Sequence, residues 1–288
     1  MDERARYIEG CIDTHAHLSL FEHRGLESRR LVHEAVAGGL ARIVDVGVTP
    51  SDYMNRLCAF GEHPIVAFTA GLHPTSVTPD TVDAELGVLE SVFSGPVRID
   101  HAAGDVCTGS IGSSRPVAVG EVGLDFYHSA DHRKLQVTAL ERQADLAARK
   151  ELPLVLHNRS SEDEMLAFLR RARPPGVMHC FSQTVGYCRS CLDLGLYVSF
   201  GGNLTYRGSH DLREAAAIVP EDRLLVETDA PYLAPQAVRG RANHPGYLAY
   251  TIDALASIRG TTSARIAAIT AANALALFAI EPWPATGP

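Results

Sequence analysis

The chain has 288 residues, of which 46% are hydrophobic and 21% charged, and its formal net charge is −8 at pH 7. This composition is typical of a globular protein and excludes a wholly disordered chain. The sequence contains no apolar run of about 18 residues and no apolar stretch near its charged N-terminus, so we expect a cytoplasmic protein with no membrane partner. The acidic balance argues against a sequence-independent binder of duplex nucleic acid, which needs a basic face.

The predicted elements alternate along the chain between short apolar strands and amphipathic helices. Eight strands are predicted, at residues 11–15, 42–48, 64–72, 116–123, 153–158, 176–181, 196–202 and 224–229. Helices are predicted between and after them, near residues 28–40, 51–62, 79–94, 131–151, 160–173, 184–194, 209–218, 246–259 and 262–278. Nearly continuous apolar strands that alternate with helices indicate a parallel sheet covered by helices.

Eight such units without an obvious break predict an α/β fold, a single (β/α)8 TIM barrel spanning residues 1–288. The competing fold is a doubly wound open sheet, in which a Gly-rich fingerprint would follow the first strand, and none is present. Residues 95–115, rich in Gly and Ser, are predicted to form a long surface loop or lid. Residues 280–288 are predicted to form an irregular tail because they contain several prolines.

Six cysteines are scattered through the chain: Cys11, Cys58, Cys107, Cys180, Cys188 and Cys191. In a reducing compartment we expect free thiols and no disulfide framework. Cys188 and Cys191 form a C-x-x-C pair, but no second pair lies nearby to complete a zinc site. The segment that carries them is predicted to be an outer helix, so a structural role is favoured.

Histidines and carboxylates fall at or near the ends of five predicted strands. These side chains are His15, His17, Glu121, His157, His179 and Asp229. Because the carboxyl ends of the strands form the mouth of a barrel, we expect the six side chains to converge there. A single interior histidine is usually a hydrogen-bonded core residue, but burying this whole set is costly unless something pairs the polar groups. The set therefore predicts a metal site.

Four histidines and two carboxylates suffice for two divalent ions with one bridging carboxylate. The mixed nitrogen and oxygen donors are compatible with Zn, Mn or Fe and do not exclude Mg. A metal lowers the pKa of bound water towards neutrality and supplies hydroxide at pH 7. Asp229 is a candidate general base or proton shuttle. The predicted reaction is therefore hydrolysis.

The same residues lie in motifs that resemble the TatD family of metal-dependent deoxyribonucleases, within the amidohydrolase-like superfamily. The motifs are D-T-H-A-H at 13–17, G-L-H-P at 71–74, G-E-V-G-L-D-F-Y at 120–127, L-P-L-V-L-H-N-R at 152–159, H-C-F-S at 179–182, L-Y-V-S-F-G-G at 196–202, L-L-V-E-T-D-A-P-Y-L-A-P at 224–235 and R-G-R-A-N-H-P at 239–245. The resemblance covers nearly the whole chain. It implies the barrel fold and metal-dependent DNA hydrolysis, including 3′→5′ exonuclease trimming of single strands.

The resemblance also implies a role for each of the six side chains. The first metal would be held by His15, His17 and Glu121, and the second by Glu121, His157 and His179. Asp229 would be the remaining ligand and the catalytic acid/base, so that Asp229 and the bridging Glu121 are the candidate catalytic residues.

Further residues near the predicted mouth are candidate substrate contacts: His73, Tyr127, Arg159, Asn203 and Arg241. Arginine suits bidentate phosphate contacts, and a tyrosine ring suits stacking on a base. The alternatives are a solvated loop arginine, a core tyrosine and, for His73, a structural hydrogen bond or support of a metal ligand. Glu227 is expected to orient a metal-binding histidine or a loop backbone.

The chain departs from the family pattern at Asn243-His244-Pro245, where Asn-Glu-Pro or Asn-Gln-Pro is usual, and at Gln183, where Gly or Thr often stands. Because of these departures and the acidic charge, a second kind of substrate is considered for the same site: a small amide, lactone or phosphoester. A non-enzymatic binding protein is a third hypothesis, but it would require the loss of a ligand. The expected partners are DNA strand ends or a small hydrolysable substrate, and a monomer is favoured.

Overall fold

The computed structural model describes residues 4–94 and 115–281, which contain one sheet of eight parallel strands. The strands are β1 Ile12–Ala16, β2 Arg42–Asp45, β3 Val66–Ala70, β4 Ala118–Asp125, β5 Leu154–Arg159, β6 Gly176–Met178, β7 Tyr197–Phe200 and β8 Leu224–Val226. Each strand pairs with the next in sequence. The sheet closes where the His17 N–H donates to the Ala230 carbonyl at 2.7 Å and the Asp229 N–H donates to the His15 carbonyl at 2.9 Å. The predicted (β/α)8 barrel is confirmed.

The helices surround the barrel at the predicted places. They are α1 Ser28–Ala37, α2 Tyr53–Phe60, α3 Val82–Ser94, α4 Arg133–Lys150, α5 Glu162–Ala172, α6 Val185–Asp193, α7 His210–Ile218, α8 Leu248–Ile258 and α9 Ser263–Phe278. The first seven lie in sequence between consecutive strands, and α8 and α9 follow β8. No helix in the described ranges is long and apolar enough to span a membrane.

The barrel interior changes from apolar to polar along the strand direction. Near the start of the strands, Ile12, Val44, Val177 and Leu225 form a buried cluster with Phe278 of α9. Towards the carboxyl ends, buried polar side chains replace them: Asp13, His15, Thr69, Glu121, Ser199 and Glu227. Burial of polar groups costs free energy unless they are hydrogen-bonded or paired. The apolar end of the interior therefore packs as a hydrophobic cluster, separate from the larger core that includes the helices, and the polar end marks the site.

Five predicted strands, the second, third, sixth, seventh and eighth, extend past the observed ends, and in two of them the excess carries a site residue. Strand β6 ends at Met178 and β8 at Val226, so His179 and Asp229 lie in the segments that follow the strands. Cys180 has φ of 42° and Asp229 has φ of 55°, in the left-handed region, which an extended strand cannot accommodate. The prediction that Asp229 ends the eighth strand is therefore wrong, although the direction of the segment still brings the side chain to the mouth.

The cysteine prediction is correct for most of the described residues. Cys11, Cys180, Cys188 and Cys191 are free thiols, and the C-x-x-C pair is buried on α6 as expected. Cys58 is disulfide-bonded, so the prediction of six free thiols is wrong for this residue. The predicted loop at residues 95–115 and the tail at residues 280–288 lie, apart from residues 115, 280 and 281, outside the described residues.

Gly123 allows β4 and β5 to approach each other where both strands carry site residues. It pairs with His157, has φ of 149°, and a Cβ atom at this position would lie 2.0 Å from the His157 carbonyl oxygen. We expect Gly123→Ala to lower the free energy of unfolding by about 2–4 kcal/mol, because the methyl group forces the strands apart. Urea denaturation of both proteins measures this change.

Gly87→Ala is the matched control for that substitution. Gly87 lies on α3, and a Cβ atom there would meet no atom within 4 Å. Alanine at such a helical position is expected to stabilise the protein by about 0.5–1 kcal/mol. Equal unfolding midpoints for Gly123→Ala and the wild type would contradict the proposed close packing of β4 and β5.

Candidate metal centre

The structure brings the six predicted metal-binding side chains together at the carboxyl end of the barrel. They come from β1, β4 and β5 and from the segments that follow β1, β6 and β8. All are buried except His157, whose side chain is 18% exposed. The polar floor of the barrel and the short loops around it hold these donors in fixed positions.

The first group of donor atoms surrounds one oxygen of Glu121. The Nε2 atoms of His15 and His17 lie 3.1 Å apart. They lie 3.4 and 3.6 Å from Glu121 Oε2, and 3.8 and 3.6 Å from Asp229 Oδ1. Donors placed tetrahedrally about 2.1 Å from a divalent ion are about 3.4 Å from one another. His15, His17 and Glu121 therefore offer three donors that could hold a metal ion, and Asp229 Oδ1 lies beside the two histidine nitrogens.

The second group surrounds the other oxygen of Glu121. Glu121 Oε1 lies 2.8 Å from His157 Nδ1 and 2.8 Å from His179 Nε2, and these two nitrogens are 3.3 Å apart. His73 Nε2 lies 3.2 Å from the same oxygen. The two oxygens of one carboxylate thus face two separate sets of imidazole nitrogens.

The electrostatics of the cluster favour bound positive charge. Burial alone would raise the pKa of Glu121, but the histidines around it hold that pKa well below its usual value. The pKa of Asp229 is lowered too, because His17 and its neighbours outweigh the effect of burial. Burial opposes protonation of His179, yet Glu121 and Glu227 raise its pKa well above the usual value. Two ionised carboxylates among imidazoles attract either protons or metal cations, and metal binding displaces the protons.

Two further carboxylates lie behind the histidines of the second group. Glu227 Oε1 accepts a hydrogen bond from the Cys180 N–H at 2.7 Å and lies 3.3 Å from His179 Nδ1. This is the position expected for Glu227. Asp125 Oδ2 lies 3.3 Å from His157 Nε2. Carboxylates in such positions fix the orientation of metal-binding imidazoles.

Sequence reasoning missed Asp125, although a signal was available. Asp125 stands four residues after Glu121 on β4, and alternate residues of a strand share a face. Its Oδ1 atom also accepts hydrogen bonds from the N–H groups of Tyr127 and His128, so it shapes the turn that leaves the strand.

Hydrogen bonds with Asn243 and with Asp13 hold the segment that carries Asp229. The Asn243 side-chain amide donates to the carbonyls of Thr228 and Tyr232, each at 2.7 Å. Asp13 accepts hydrogen bonds from the Thr228 N–H at 2.9 Å and from the Thr228 hydroxyl at 2.6 Å. These contacts fix Asp229 in its left-handed conformation. Neither Asn243 nor Asp13 was predicted to have this role.

The predicted substrate contacts occupy different surroundings. His73 lies inside the donor cluster. Tyr127 is 65% exposed, with the Arg159 guanidinium carbon 4.4 Å from its ring centroid. Arg241 lies in the exposed loop after β8. Asn203 is buried, and its Oδ1 atom has no hydrogen-bond partner among the residues that the structure describes.

The two departures from the family pattern form main-chain contacts. The Gln183 side-chain amide donates to the Asn158 carbonyl at 2.8 Å, linking the end of β5 to the segment that follows β6. The His244 ring accepts a hydrogen bond from the Gly246 N–H at 3.2 Å. Both residues therefore stabilise loops around the mouth.

Comparisons with known proteins agree on one family. The family model described as TatD-related DNase matches residues 12–279. An uncharacterized metal-dependent hydrolase, TatD, of Mycobacterium tuberculosis is 34% identical over 273 residues, which cover 91% of this chain and 96% of that protein. The 3′-5′ ssDNA/RNA exonuclease TatD of Klebsiella pneumoniae is 38% identical over 173 residues, covering 57% of this chain and 66% of that protein.

A solved structure agrees with the sequence comparisons. The crystal structure of YjjV, a TatD homologue from Escherichia coli, superposes with a TM-score of 0.78 and 27% sequence identity, covering 96% of this chain and all of that one. The barrel, the donor cluster at its mouth and the family match over nearly the whole chain lead to the same conclusion. The chain belongs to the TatD-related DNase family and is a metal-dependent hydrolase acting on ester bonds.

Proposed function

We propose that the protein is a dinuclear deoxyribonuclease that removes nucleotides from the 3′ end of single-stranded DNA. The observation that carries the proposal is the placement of Glu121, whose two oxygens face the two sets of histidine nitrogens. This arrangement supports two divalent ions, Zn, Mg or Mn, that share one carboxylate. The name of the Klebsiella pneumoniae relative, a 3′-5′ ssDNA/RNA exonuclease, supports the nuclease activity and its polarity.

The chain supplies the charged groups that such a reaction requires. Divalent ions held by this donor set would lower the pKa of water towards neutrality and polarise the phosphoryl oxygens. Asp229 is ionised because neighbouring imidazoles lower its pKa, and its side chain reaches the opening of the site. It is therefore placed to accept a proton from the attacking water and to return one to the leaving oxygen.

A gel assay on single-stranded DNA labelled at its 5′ end tests the proposal. The protein is incubated with Mg, Mn or Zn, beside Asp229→Ala prepared identically. We expect a metal-dependent ladder that shortens from the 3′ end, formed about 100-fold or more slowly by the variant, because the loss of a general acid/base costs at least this much. Asp193→Ala, at the exposed carboxyl end of α6, is the matched control and is expected to cleave like the wild type.

Two outcomes would contradict the proposal. Absence of cleavage by a preparation that holds about two metal ions per chain would reject DNA as the substrate and direct the search to small esters, lactones and amides. Cleavage at equal rates by the wild type and Asp229→Ala would reject the role of Asp229.

A further inference from the structure

A groove of about 470 Å³ opens beside the donor cluster, between the turns that follow β1, β7 and β8. Three arginines and two tyrosines line it: Arg24, Arg239, Arg241, Tyr206 and Tyr232. No acidic side chain lines it within the described part of the chain. In a protein with a net charge of −8, such a local concentration of arginine favours an anionic ligand.

One wall of the groove, Tyr232, adjoins the candidate metal centre. The Tyr232 N–H donates to the Asp229 carbonyl at 2.8 Å, and the Tyr232 ring meets the His17 ring edge to face, with centroids 6.1 Å apart. The Gln236 N–H donates to Thr205 Oγ1 at 2.7 Å, which joins the turn beside Tyr206 to the segment that follows β8. A ligand that contacts the Tyr232 ring is therefore one side chain away from His17 of the donor cluster.

Two of the arginines are held on tyrosine rings. The guanidinium carbon of Arg24 lies 5.4 Å from the Tyr232 centroid, and that of Arg239 lies 4.5 Å from the Tyr206 centroid. Both arginines are exposed, and neither forms an ion pair with another described residue. A guanidinium stacked in this way keeps its N–H groups available for phosphate oxygens. Tyr232 is 39% exposed and offers an additional surface for stacking a base.

The mouth has a different charge on the other side of the loop that follows β7, among the segments after β5, β6 and β7. A cavity of about 650 Å³ there is lined by Glu162, Asp211 and polar residues that include Gln183 and Asn203. Its lining contains no lysine or arginine among residues 4–94 and 115–281. A polyanion that extends from the site is therefore attracted to the arginine groove and repelled from the acidic cavity.

We propose that the arginine groove binds the internal part of a single-stranded DNA substrate, adjacent to the phosphate that is cleaved. Arg24 and Arg239 contact two backbone phosphates, and a base stacks on Tyr232. The inference rests on the proposed function, since a 3′→5′ exonuclease holds the terminal nucleotide at the reacting site while the remaining strand leads away. A small ester would not extend into the groove.

Binding is measured by fluorescence anisotropy with a labelled 20-nucleotide phosphorothioate DNA, which resists cleavage, on the metal-loaded protein. We expect Arg24→Gln/Arg239→Gln to weaken binding about tenfold or more at low salt. The slope of log affinity against log salt is expected to fall by about 1.4, because each lost phosphate contact on a single strand removes about 0.7. Tyr232→Leu is expected to weaken binding about tenfold through the loss of stacking.

Arg223→Gln is the matched control. The Arg223 guanidinium carbon lies 5.1 Å from the Tyr197 centroid, and both residues are at the other end of the barrel, where β7 and β8 begin. The substitution removes one arginine charge and one stack of the same type away from the groove, so its affinity and salt slope should equal those of the wild type.

A comparison of two substrates separates this inference from the proposed function. For the groove variants, kcat/KM on a DNA 20-mer should fall at least about tenfold further than kcat/KM on bis(p-nitrophenyl) phosphate, which is too small to span the groove. If the double variant keeps the affinity and salt slope of the wild type, the groove is not the DNA site. The same conclusion follows if Arg223→Gln weakens DNA binding as much as the double variant does. If the variants lose DNA binding but the metal-loaded wild type cleaves no DNA, the groove stands and the proposed function fails.

Discussion

Glu121→Gln is expected to lower the rate of phosphodiester hydrolysis on the order of 10⁴-fold and to reduce the number of bound metal ions. The two oxygens of Glu121 each face two or more imidazole nitrogens, and an amide replaces one oxygen with a nitrogen that cannot coordinate a cation. Bound metal contributes several kcal/mol to transition-state stabilisation, and each factor of ten in rate corresponds to about 1.4 kcal/mol.

Metal content, measured by mass spectrometry, and hydrolysis of labelled DNA are compared for both proteins. Glu90→Gln is the matched control, since Glu90 is an exposed residue of α3 that pairs with Arg149, and it should retain both metal and activity. A Glu121→Gln protein that keeps two ions per chain and loses only a few-fold in rate would contradict the bridging role.

Arg56→Met is expected to lower the free energy of unfolding by about 3–5 kcal/mol, because it breaks a buried ion pair and leaves a buried carboxylate without compensation. The Arg56 side chain is 1% exposed and pairs with Asp45 Oδ2 at 3.0 Å and with Asp52 Oδ1 at 2.7 Å. It also donates to the Thr69 carbonyl at 2.8 Å. Every one of these partners loses a donor in the variant.

The partners of Arg56 also contact the segments that carry metal-binding candidates. Asp45 ends β2 and accepts a hydrogen bond from the Leu18 N–H at 2.9 Å, next to His17. Thr69 Oγ1 donates to the Gly120 carbonyl at 2.6 Å, next to Glu121. Loss of Arg56 is therefore expected to loosen the ends of β1 and β4, which carry metal-binding candidates.

Urea denaturation measures the effect, and Arg29→Met is the matched control. Arg29 pairs with Glu62 at 2.8 Å, but both side chains are more than half exposed. An exposed pair of this kind contributes about 0–1 kcal/mol, so the control should unfold near the wild-type midpoint. Equal midpoints for Arg56→Met and the wild type would contradict the structural role of the buried pair.

The sequence by itself determined the elements and their order. Apolar strands and amphipathic helices are encoded by local patterns, and eight alternating units have few ways to bury their apolar faces other than a closed barrel. The donor residues were also visible, because His15, His17 and Glu121 interrupt segments that would otherwise be apolar. Polar residues at such positions require a partner, and this requirement can be recognised without coordinates.

The tertiary structure alone decided which partners lie behind and around these donors. Asp125 lies beside His157, Asn243 holds the Asp229 segment, and Arg56 pairs with Asp45 of β2 and donates to the Thr69 carbonyl of β3. These contacts join different segments of the chain or depend on where a strand ends. The premature ends of β6 and β8 have the same origin, since left-handed residues at Cys180 and Asp229 are held by long-range hydrogen bonds.

The arginine groove is the clearest example of the tertiary contribution. Arg24 and Tyr232 are separated by most of the chain, and closure of the barrel between β1 and the segment after β8 brings them together. Local sequence patterns report which face of an element is buried, whereas packing between distant elements determines which exposed side chains become neighbours. The fold and the metal-binding candidates were therefore predictable from the sequence, whereas Arg241 is the one residue of the proposed arginine groove that was among the predicted substrate contacts.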